Sequence, residues 1–223
     1  MTNTKHPSDS LWLGLVLAAA GGFMDAYTYI ARGKVFANAQ TGNLVLLGVR
    51  AFEGNVQALH YLVPVIAFVL GVLITEVIRT HRHGFKHMHW RQAVLLVEAA
   101  VLVASAFAPQ SCNDLVNAGV SFACAMQVDS FRNFEGNPYA TTMCTGNLRS
   151  GTEKVYIWFH KRDKAALRAG LGYFAVIFSF VAGAGIGALM TEAFMEVTAL
   201  FPAGMLLVAG AMMHLIPEQR KGE

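Results

Sequence analysis

Charged side chains are scarce in this sequence. Only 14% of its 223 residues are Asp, Glu, Lys or Arg, whereas soluble globular domains have about 25%. The hydrophobic fraction is 55%, and the mean hydropathy is +0.44. Together these values exclude an ordinary soluble fold and predict that much of the protein surface lies in lipid.

Cysteine is also rare, and the three residues present are Cys112, Cys124 and Cys144. Their number is odd, and their spacing matches neither a disulfide framework nor a cysteine-based metal site. We interpret them as small apolar side chains, and we expect no metal ion and no other cofactor. The net charge of +3 lies mainly in the loops, so it reports membrane orientation, and we expect no nucleic-acid partner.

Long apolar runs are what the sequence does contain. Six of them are long enough to cross a hydrocarbon core, which takes about 17 to 25 residues. The runs are Leu11 to Ile30, Leu59 to Ile78, Ala93 to Ala108, Leu115 to Phe131, Leu171 to Thr191 and Val197 to Leu215. Because backbone amides cannot stay unpaired in lipid, each run is predicted to be a helix. The predicted class is an all-α, polytopic integral membrane protein in a lipid bilayer.

One short motif occurs twice. Thr41-Gly42-Asn43-Leu44 returns as Thr145-Gly146-Asn147-Leu148, and Asp25 and Asp129 precede their copies by the same 16 residues. An Asp in register inside an apolar run makes chance a poor explanation, so we infer a duplicated unit. Residues 1–108 form the first predicted three-helix repeat and residues 109–223 the second, and together they form one membrane domain.

Loop charges predict the orientation, since Lys and Arg are retained on the cytoplasmic side. The loop at 81–91 is basic, the loop at 109–114 has no Lys or Arg, and the segment at 154–168 is basic again. This pattern predicts a multi-pass protein with both termini in the cytoplasm. Arg32, Lys34 and Arg50 in the first connection are the exception. Because each copy has three crossings, the copies are predicted to be inverted relative to each other.

The two Thr-Gly-Asn (TGN) segments are predicted to begin short helices. The first reads as a helix from Thr41 to Phe52, about 18 Å long, capped at its start by Thr or Asn and ended near Gly54. In an alternative reading both segments are full spans, giving four crossings per copy and parallel repeats. Arg149, Glu153 and Lys154 make the second segment too polar for that alternative.

The starts of the two short helices are candidate parts of a solute site, because exposed amides there carry partial positive charge. The Asp residues inside the apolar runs are candidate proton or cation sites. The predicted substrate-binding residues are Asp25, Thr41, Gly42, Asn43, Gln127, Asp129, Thr145, Gly146 and Asn147. Asn38 and Glu98 are further polar candidates. A purely structural role stays open, in which the motif is a tight helix start and the Asp holds it in place.

The segment Gly21-Gly22-Phe23-Met24-Asp25-Ala26, followed by Gln40-Thr41-Gly42-Asn43, resembles the opening of the YoaK-like family, bacterial membrane proteins defined by a domain of unknown function. The second copy keeps the Asp and the TGN motif but has Ala125-Met126 in place of the glycine pair. The resemblance extends over nearly the whole chain. It implies a six-span protein of the inner (plasma) membrane, and it implies no particular substrate.

The leading functional hypothesis is a small transporter or channel for a small polar or anionic solute, with proton coupling as one form of it. A homodimer is expected if one chain cannot enclose a pathway, and the glycine-rich fifth run offers a surface for it. The alternative is a non-transporting assembly or sensory module that acts through basic cytoplasmic loops. An enzyme is not expected, because Ser121 and Ser179 have no neighbouring base at helical spacing. The histidines at 81, 83, 87 and 89 are interpreted as part of a solvated basic loop rather than a metal site.

Overall fold

The computed structural model describes residues 9–55, 57–81 and 89–215. Within these ranges the chain is almost entirely helical. The helices are α1 (Leu11–Ala31), α2 (Gln40–Phe52), α3 (Ala58–Thr80), α4 (Trp90–Ala106), α5 (Asn113–Ser130), α6 (Cys144–Lys161), α7 (Lys164–Phe194) and α8 (Leu200–Leu215). Short 3₁₀ turns occupy Gln110–Cys112 and Met195–Ala199. The predicted all-α class is therefore confirmed.

All six apolar runs are helical, as α1, α3, α4, α5, α7 and α8. The largest difference in bounds is at α7, which begins well before the predicted Leu171. The Asp163 carboxylate accepts hydrogen bonds from the backbone amides of Ala165 and Ala166 and so caps the earlier start. A capping interaction of this kind satisfies amides that have no partner inside the helix.

Three stretches are long and apolar enough to cross a membrane by length and composition: Leu11–Ala31, Ala58–Thr80 and Lys164–Met213. The third is 50 residues long and contains both α7 and α8. The helix breaks between them, where Met195 has a φ of 50°. α4 and α5 have only 17 and 18 residues. These apolar helices indicate that the chain is a membrane protein. The number of times that the chain crosses the membrane remains a prediction.

The helices pack in pairs that correspond between the two halves of the chain. The most extensive contacts join α1 to α7 and α3 to α5. α2 packs on α3 as α6 packs on α7, and α4 packs on α5 as α8 packs on α1. If α1 to α4 are matched with α5 to α8, each of these contacts has its counterpart. The main core lies among α1, α4, α5 and α8.

Glycines allow backbones of the two halves to touch. A Cβ atom at Gly183 of α7 would lie 2.0 Å from the carbonyl oxygen of Ala19 in α1. A Cβ at Gly71 of α3 would lie 2.4 Å from the carbonyl oxygen of Phe122 in α5. Small residues permit such close approach of helices in membranes. Gly183 therefore serves packing within the chain, and it does not provide the dimer surface that the sequence suggested.

Contacts between helix termini define two ends of the bundle. At the first, the Asp9 end, Arg79 at the end of α3 pairs with Asp129 at the end of α5. The carbonyl oxygen of Asp9, just before α1, accepts a hydrogen bond from the amide of Glu135, just after α5, over 2.7 Å. Arg168, near the start of α7, pairs with the Glu135 carboxylate at 3.1 Å.

At the opposite end, the Arg32 end, His60 near the start of α3 meets Asp114 at the start of α5. Gln110, in the 3₁₀ turn between α4 and α5, donates a hydrogen bond to the carbonyl oxygen of Ala31 at the end of α1. The same side chain contacts Glu196 in the turn before α8. Hence α1, α4 and α7 run in one direction, and α3, α5 and α8 run in the other.

Arg32 explains the exception in the loop charges. Its side chain is fully buried rather than free in the first connection. Nε donates to the Tyr27 hydroxyl over 2.8 Å, and the two Nη atoms donate to the carbonyl oxygens of Ser105 and Ala108 at the end of α4. A cation is favourable there because the carboxyl end of a helix carries partial negative charge. Arg32 thus contributes to the core rather than to the charge of a free loop.

A small β-hairpin was not predicted. β1 (Asn133–Phe134) pairs with β2 (Asn137–Pro138) in antiparallel register between α5 and α6. Glu135 and Gly136 form its two-residue turn with φ values of 47° and 82°, the backbone conformation that such tight hairpins need. The hairpin lies at the Asp9 end and buries Phe134 against Tyr139 and Tyr173.

Candidate functional site

The Asn of each TGN motif ties a loop to a helix. Asn43 Oδ1 accepts from the amide of Phe36 over 3.0 Å, and its Nδ2 donates to the Phe36 carbonyl oxygen over 2.8 Å. Asn147 does the same to Ala140, over 3.4 and 2.6 Å. Both side chains are buried. Each Asn therefore closes the loop that precedes its helix, which is a structural role.

The predicted cap at the start of the short helices is wrong. α2 begins at Gln40 and α6 at Cys144, one residue before each Thr, and neither preceding residue makes a side-chain capping bond. The physical reason is that the Asn amide uses both of its polar atoms on the backbone seven residues earlier. Thr41 and Thr145 lie exposed on the outside of their helices.

The glycines of the two motifs differ. A Cβ at Gly42 would lie 2.9 Å from the Phe36 ring, whereas a Cβ at Gly146 would have no neighbour within 4 Å among the described atoms. The structure therefore does not gather the Thr and Gly residues of the motif around Asp25. Of the predicted set, Asp25 and Gln127 are buried on separate helices, and Asn43 and Asn147 hold the loops before α2 and α6.

Asp25 lies buried in α1 beside the loop that precedes α2. Its Oδ1 accepts from the backbone amide of Asn38 over 2.6 Å, and Asn38 Nδ2 donates to the carbonyl oxygen of Gly21 over 3.2 Å. Asp25 therefore supplies the negative charge at the amino-terminal side of α2. A solute anion at this position would meet a carboxylate rather than free amides.

The loop before α6 reaches the same part of α1. A Cβ at Gly21 would lie 2.4 Å from Cγ2 of Thr142. The neighbouring Thr141 donates its hydroxyl to Gln127 Oε1 over 3.4 Å, and Gln127 Nε2 donates to Glu98 Oε2 over 3.0 Å. The loops before the two short helices thus converge on one buried region among α1, α4 and α5.

Three buried oxygen atoms in this region have no hydrogen-bond partner: Oδ2 of Asp25, Oδ1 of Asn38 and Oε1 of Glu98. The residues are 5%, 7% and 0% exposed. The Cys124 thiol of α5 lies beside Asn38 and Glu98 and within electrostatic reach of Asp25. We call Asp25, Asn38 and Glu98 the acceptor cluster. Buried polar atoms are nearly always paired, so each of these three oxygens is available to accept a proton or a hydrogen bond.

Asp129 has a different environment although it matches Asp25 in the sequence. It pairs with Arg79 at 2.8 Å and with Arg132. Glu76 joins the same network through Arg79 at 2.9 Å and Arg132 at 2.6 Å. Asp129 therefore lies in an ion-pair network at the Asp9 end and outside the acceptor cluster.

Residues 13–212 match a family model described as "Protein of unknown function (DUF1275)". The chain belongs to this family. It is also 26% identical over 208 residues to the UPF0700 transmembrane protein YoaK of Bacillus subtilis (strain 168), covering 89% of this chain and 90% of the relative. The resemblance to a YoaK-like family is confirmed by these matches. No solved structure gives a significant match.

In this DUF1275 protein, the set of predicted solute residues left out two members of the acceptor cluster. Glu98 and Asn38 were recognisable as polar candidates, Glu98 because it interrupts an apolar run. Their partners were not readable from the sequence, since Asn38 meets Asp25 only when the loop before α2 folds back on α1, and Glu98 meets Gln127 only when α4 packs on α5.

A cleft of about 640 Å³ opens at the Arg32 end. Its lining includes Lys34, Arg50, Tyr61 and the pair His60 and Asp114. The two ring nitrogens of His60 face a carboxylate oxygen of Asp114 and, over 2.9 Å, the carbonyl oxygen of Gly33. The cleft therefore carries charged side chains of both signs, and Asp114 is the residue of its lining that comes from the second half of the chain.

Among the described residues, no group of three or more His, Cys, Asp and Glu side chains is arranged to hold a metal ion. Of the histidine-rich loop, His81 bonds to the Val77 carbonyl oxygen and His89 caps the start of α4. Arg82, His83, Lys86 and His87 lie outside the described residues.

Proposed function

We propose that the chain is a small membrane transporter built from two inverted three-helix units, with its solute site at the acceptor cluster between them. The observation that carries this proposal is that two buried carboxyl groups, Asp25 beside the loop before α2 and Glu98 linked through Gln127 to the loop before α6, each keep one unpaired oxygen. Inverted repeats of known transporters hold their sites near the bilayer midplane between the repeats, next to interrupted helices.

The matching contacts of the two halves support the inverted arrangement. α1 begins at the Asp9 end, and its counterpart α5 begins at the Arg32 end. Six alternating helices of this kind form a six-span protein with two units of opposite orientation. Burial of Arg32 takes one of the three basic side chains of the first connection out of the loop charge, whereas Lys34 and Arg50 stay accessible at the Arg32 end. Both termini in the cytoplasm of the inner membrane remain our proposed orientation.

Two buried carboxylates in an apolar bundle support a functional rather than a structural role. Neither Asp25 nor Glu98 forms an ion pair with any described residue. A charge at such depth costs several kcal/mol unless it is neutralised. Buried carboxyl groups without an ion partner are typical of sites for protons, cations or hydrogen-bond donors. We therefore propose a polar solute with donor groups and set aside the anionic solute expected from the sequence.

The two ends of the bundle differ in a way that suits alternating access. At the Asp9 end, Arg79 and Arg132 join α3 to α5 through Asp129 and Glu76. At the Arg32 end, His60 of α3 meets Asp114 of α5 at the edge of an open cleft. We propose that this conformation is closed at the Asp9 end, and that transport opens the ion pairs there. A homodimer remains a prediction, and Gly183 is not part of its proposed interface because it contacts α1 of the same chain.

Currents from liposomes on a solid-supported membrane test this proposal without knowledge of the solute. The panel holds inorganic ions, organic acids, amines and amino acids, and a binding screen covers neutral solutes. We expect a current for some solute in the wild type and its loss in Asp25→Asn. Glu192→Gln, an exposed change at the end of α7, is the matched control.

If no solute of the panel produces a current and none binds to the folded protein, the proposal of transport is contradicted. A cellular phenotype that follows changes in the loop at 81–91 instead of Asp25 would support the assembly or sensory module.

A further inference from the structure

We infer that a groove between the starts of α1 and α7 binds one anionic phospholipid of the bilayer, with the lipid phosphate on Lys164 and Arg168. This inference goes beyond the proposed transport and does not depend on it. The groove has a volume of about 380 Å³ and lies at the Asp9 end of the bundle. Its lining includes Leu11, Lys164, Leu167, Arg168, Leu171 and Ala175.

The groove follows one side of α7. Its residues on this helix have the spacing i, i+3, i+4, i+7 and i+11, which places them above one another. The two cations stand at the amino-terminal end, and Leu171 and Ala175 follow further along. From Lys164 to Ala175 the helix rises about 17 Å, and one leaflet of the hydrocarbon core is about 15 Å deep. The groove therefore matches a phospholipid, which is charged at its headgroup and apolar along its acyl chains.

Trp12 marks the level of the membrane surface at this end of the bundle. It follows Leu11 of the lining and is 71% exposed. Tryptophan side chains concentrate at the level of the lipid headgroups in membrane proteins. Leu171 lies further along α7 and is 58% exposed, as expected for a side chain in contact with acyl chains. The cations of the groove thus lie near the headgroups, and its apolar part lies beside the acyl chains.

The charge around the groove is complementary to an anion. Residues 149–168 include six Lys or Arg and two acidic residues, a net charge of +4, whereas the whole chain has +3. Of the two acidic residues, Asp163 uses its carboxylate to cap α7. Glu135 pairs with Arg168 at 3.1 Å, and a guanidinium has five N–H donors, so others remain for a phosphate. Basic pockets at the membrane surface bind anionic headgroups.

A second copy of the chain is a poorer occupant of the groove. Around a two-fold axis the same patch meets itself, so Lys164 and Arg168 of both copies would come close together. Like charges at short distance repel each other. An anionic lipid supplies the opposite charge and an apolar chain in one molecule.

Native mass spectrometry of the purified full-length chain in detergent measures the binding of single lipids. The probes are phosphatidylglycerol and phosphatidylcholine with the same acyl chains, and glycerol phosphate and inorganic phosphate without acyl chains. The groove variant is Lys164→Gln with Arg168→Gln. Its matched control, Lys161→Gln with Arg162→Gln, removes the same charge from exposed residues outside the groove lining. Ala175→Phe fills the apolar part and keeps both cations.

We expect saturable binding of phosphatidylglycerol to the wild type, tighter than binding of phosphatidylcholine. The groove variant is expected to weaken the binding of phosphatidylglycerol about tenfold, because it removes both cations that meet the phosphate. The control is expected to weaken it less than about twofold. Ala175→Phe is expected to weaken lipid binding without loss of either charge. Thermal unfolding without lipid checks that each variant is folded.

Equal weakening in the groove variant and its control would overturn the inference, because the basic segment as a whole would then attract the lipid. Equal binding of phosphatidylcholine and phosphatidylglycerol would also overturn it. Inorganic phosphate that binds as tightly as phosphatidylglycerol would overturn it in favour of a site for free anions. A dimer that Ala175→Phe disrupts, and that phosphatidylglycerol does not displace, would overturn it in favour of a second copy of the chain.

Discussion

Asp25 and Asp129 occupy matching positions in the two halves of the chain, but they have different partners. Asp129 is held by Arg79 and Arg132 in a network at one end of the bundle. One carboxylate oxygen of Asp25 accepts a hydrogen bond from a backbone amide, and the other has no hydrogen-bond partner among the described residues. A duplicated residue has thus become a fixed ion pair in one half and an open acceptor in the other. The difference lies in the neighbours, since the Asp itself is unchanged.

Arg32 belongs to the same comparison, because its aligned position in the second half is Gly136 and has no side chain. Removing it leaves the Tyr27 hydroxyl and the carbonyl oxygens at the end of α4 without their donor. We expect Arg32→Met to destabilise the protein by about 4 kcal/mol, the range for breaking a buried ionic interaction. Arg50→Met is the control, because Arg50 pairs only at the surface with Glu53. Unfolding in a mixed-detergent titration measures both, and equal effects would contradict the role of Arg32.

The close contact of α1 with α7 is expected to be sensitive to a single methyl group. Gly183→Ala places a Cβ against a backbone carbonyl that cannot move aside, so we expect a loss of about 3 kcal/mol. Gly185→Ala on the same helix has open space and serves as the control. Thermal unfolding compares the two. Gly71→Ala, at the matching contact of α3 with α5, is expected to behave like Gly183→Ala.

The two TGN Asn residues let the halves be compared directly. Asn43→Ala removes two bonds to the Phe36 backbone and one of 2.9 Å to Gln40, so we expect a loss of about 2 kcal/mol. Asn147→Ala removes only the two bonds to Ala140 and is expected to cost less. Hydrogen exchange of the preceding loops reports the change locally. A smaller effect at Asn43 than at Asn147 would contradict this reading, and Asn133→Ala in the exposed hairpin is the control.

The last change replaces the two cations beside Asp129 by the residues at the matching positions near Asp25. The double variant Arg79→Met, Arg132→Thr leaves Asp129 without these ion pairs. Because Arg132 is half-exposed, we expect a stability loss of only about 1 kcal/mol. Unfolding in a mixed-detergent titration measures this loss against that of Arg50→Met. A loss as large as that of Arg32→Met would contradict this expectation and show that the ion pairs of Asp129 contribute as much as the buried Arg32.

Much of this architecture was readable because it depends on local composition and on repetition. Apolar length alone located the six apolar helices, and the repeated motif located the starts of α2 and α6 to within one residue. The prediction that both TGN helices are short is wrong for α6, which has 18 residues and is as long as α5. The cap was misread because a Thr or Asn at a helix start usually caps it, whereas Asn43 bonds backwards to Phe36. The hairpin was missed although Glu135-Gly136 is a recognisable turn, because its strands have only two residues each.

By itself the sequence determined the class and the candidate carboxylates, because lipid demands long apolar helices and excludes unneeded charge, and it predicted the duplication. Only the tertiary structure decided which residues meet. It buried Arg32 at the end of α4, gave Asp129 its two arginines, and placed Asn38 against Asp25 and Gln127 against Glu98. These contacts join helices and loops that lie far apart in the chain. Which residues meet depends on how the two halves pack together and not on any local sequence pattern.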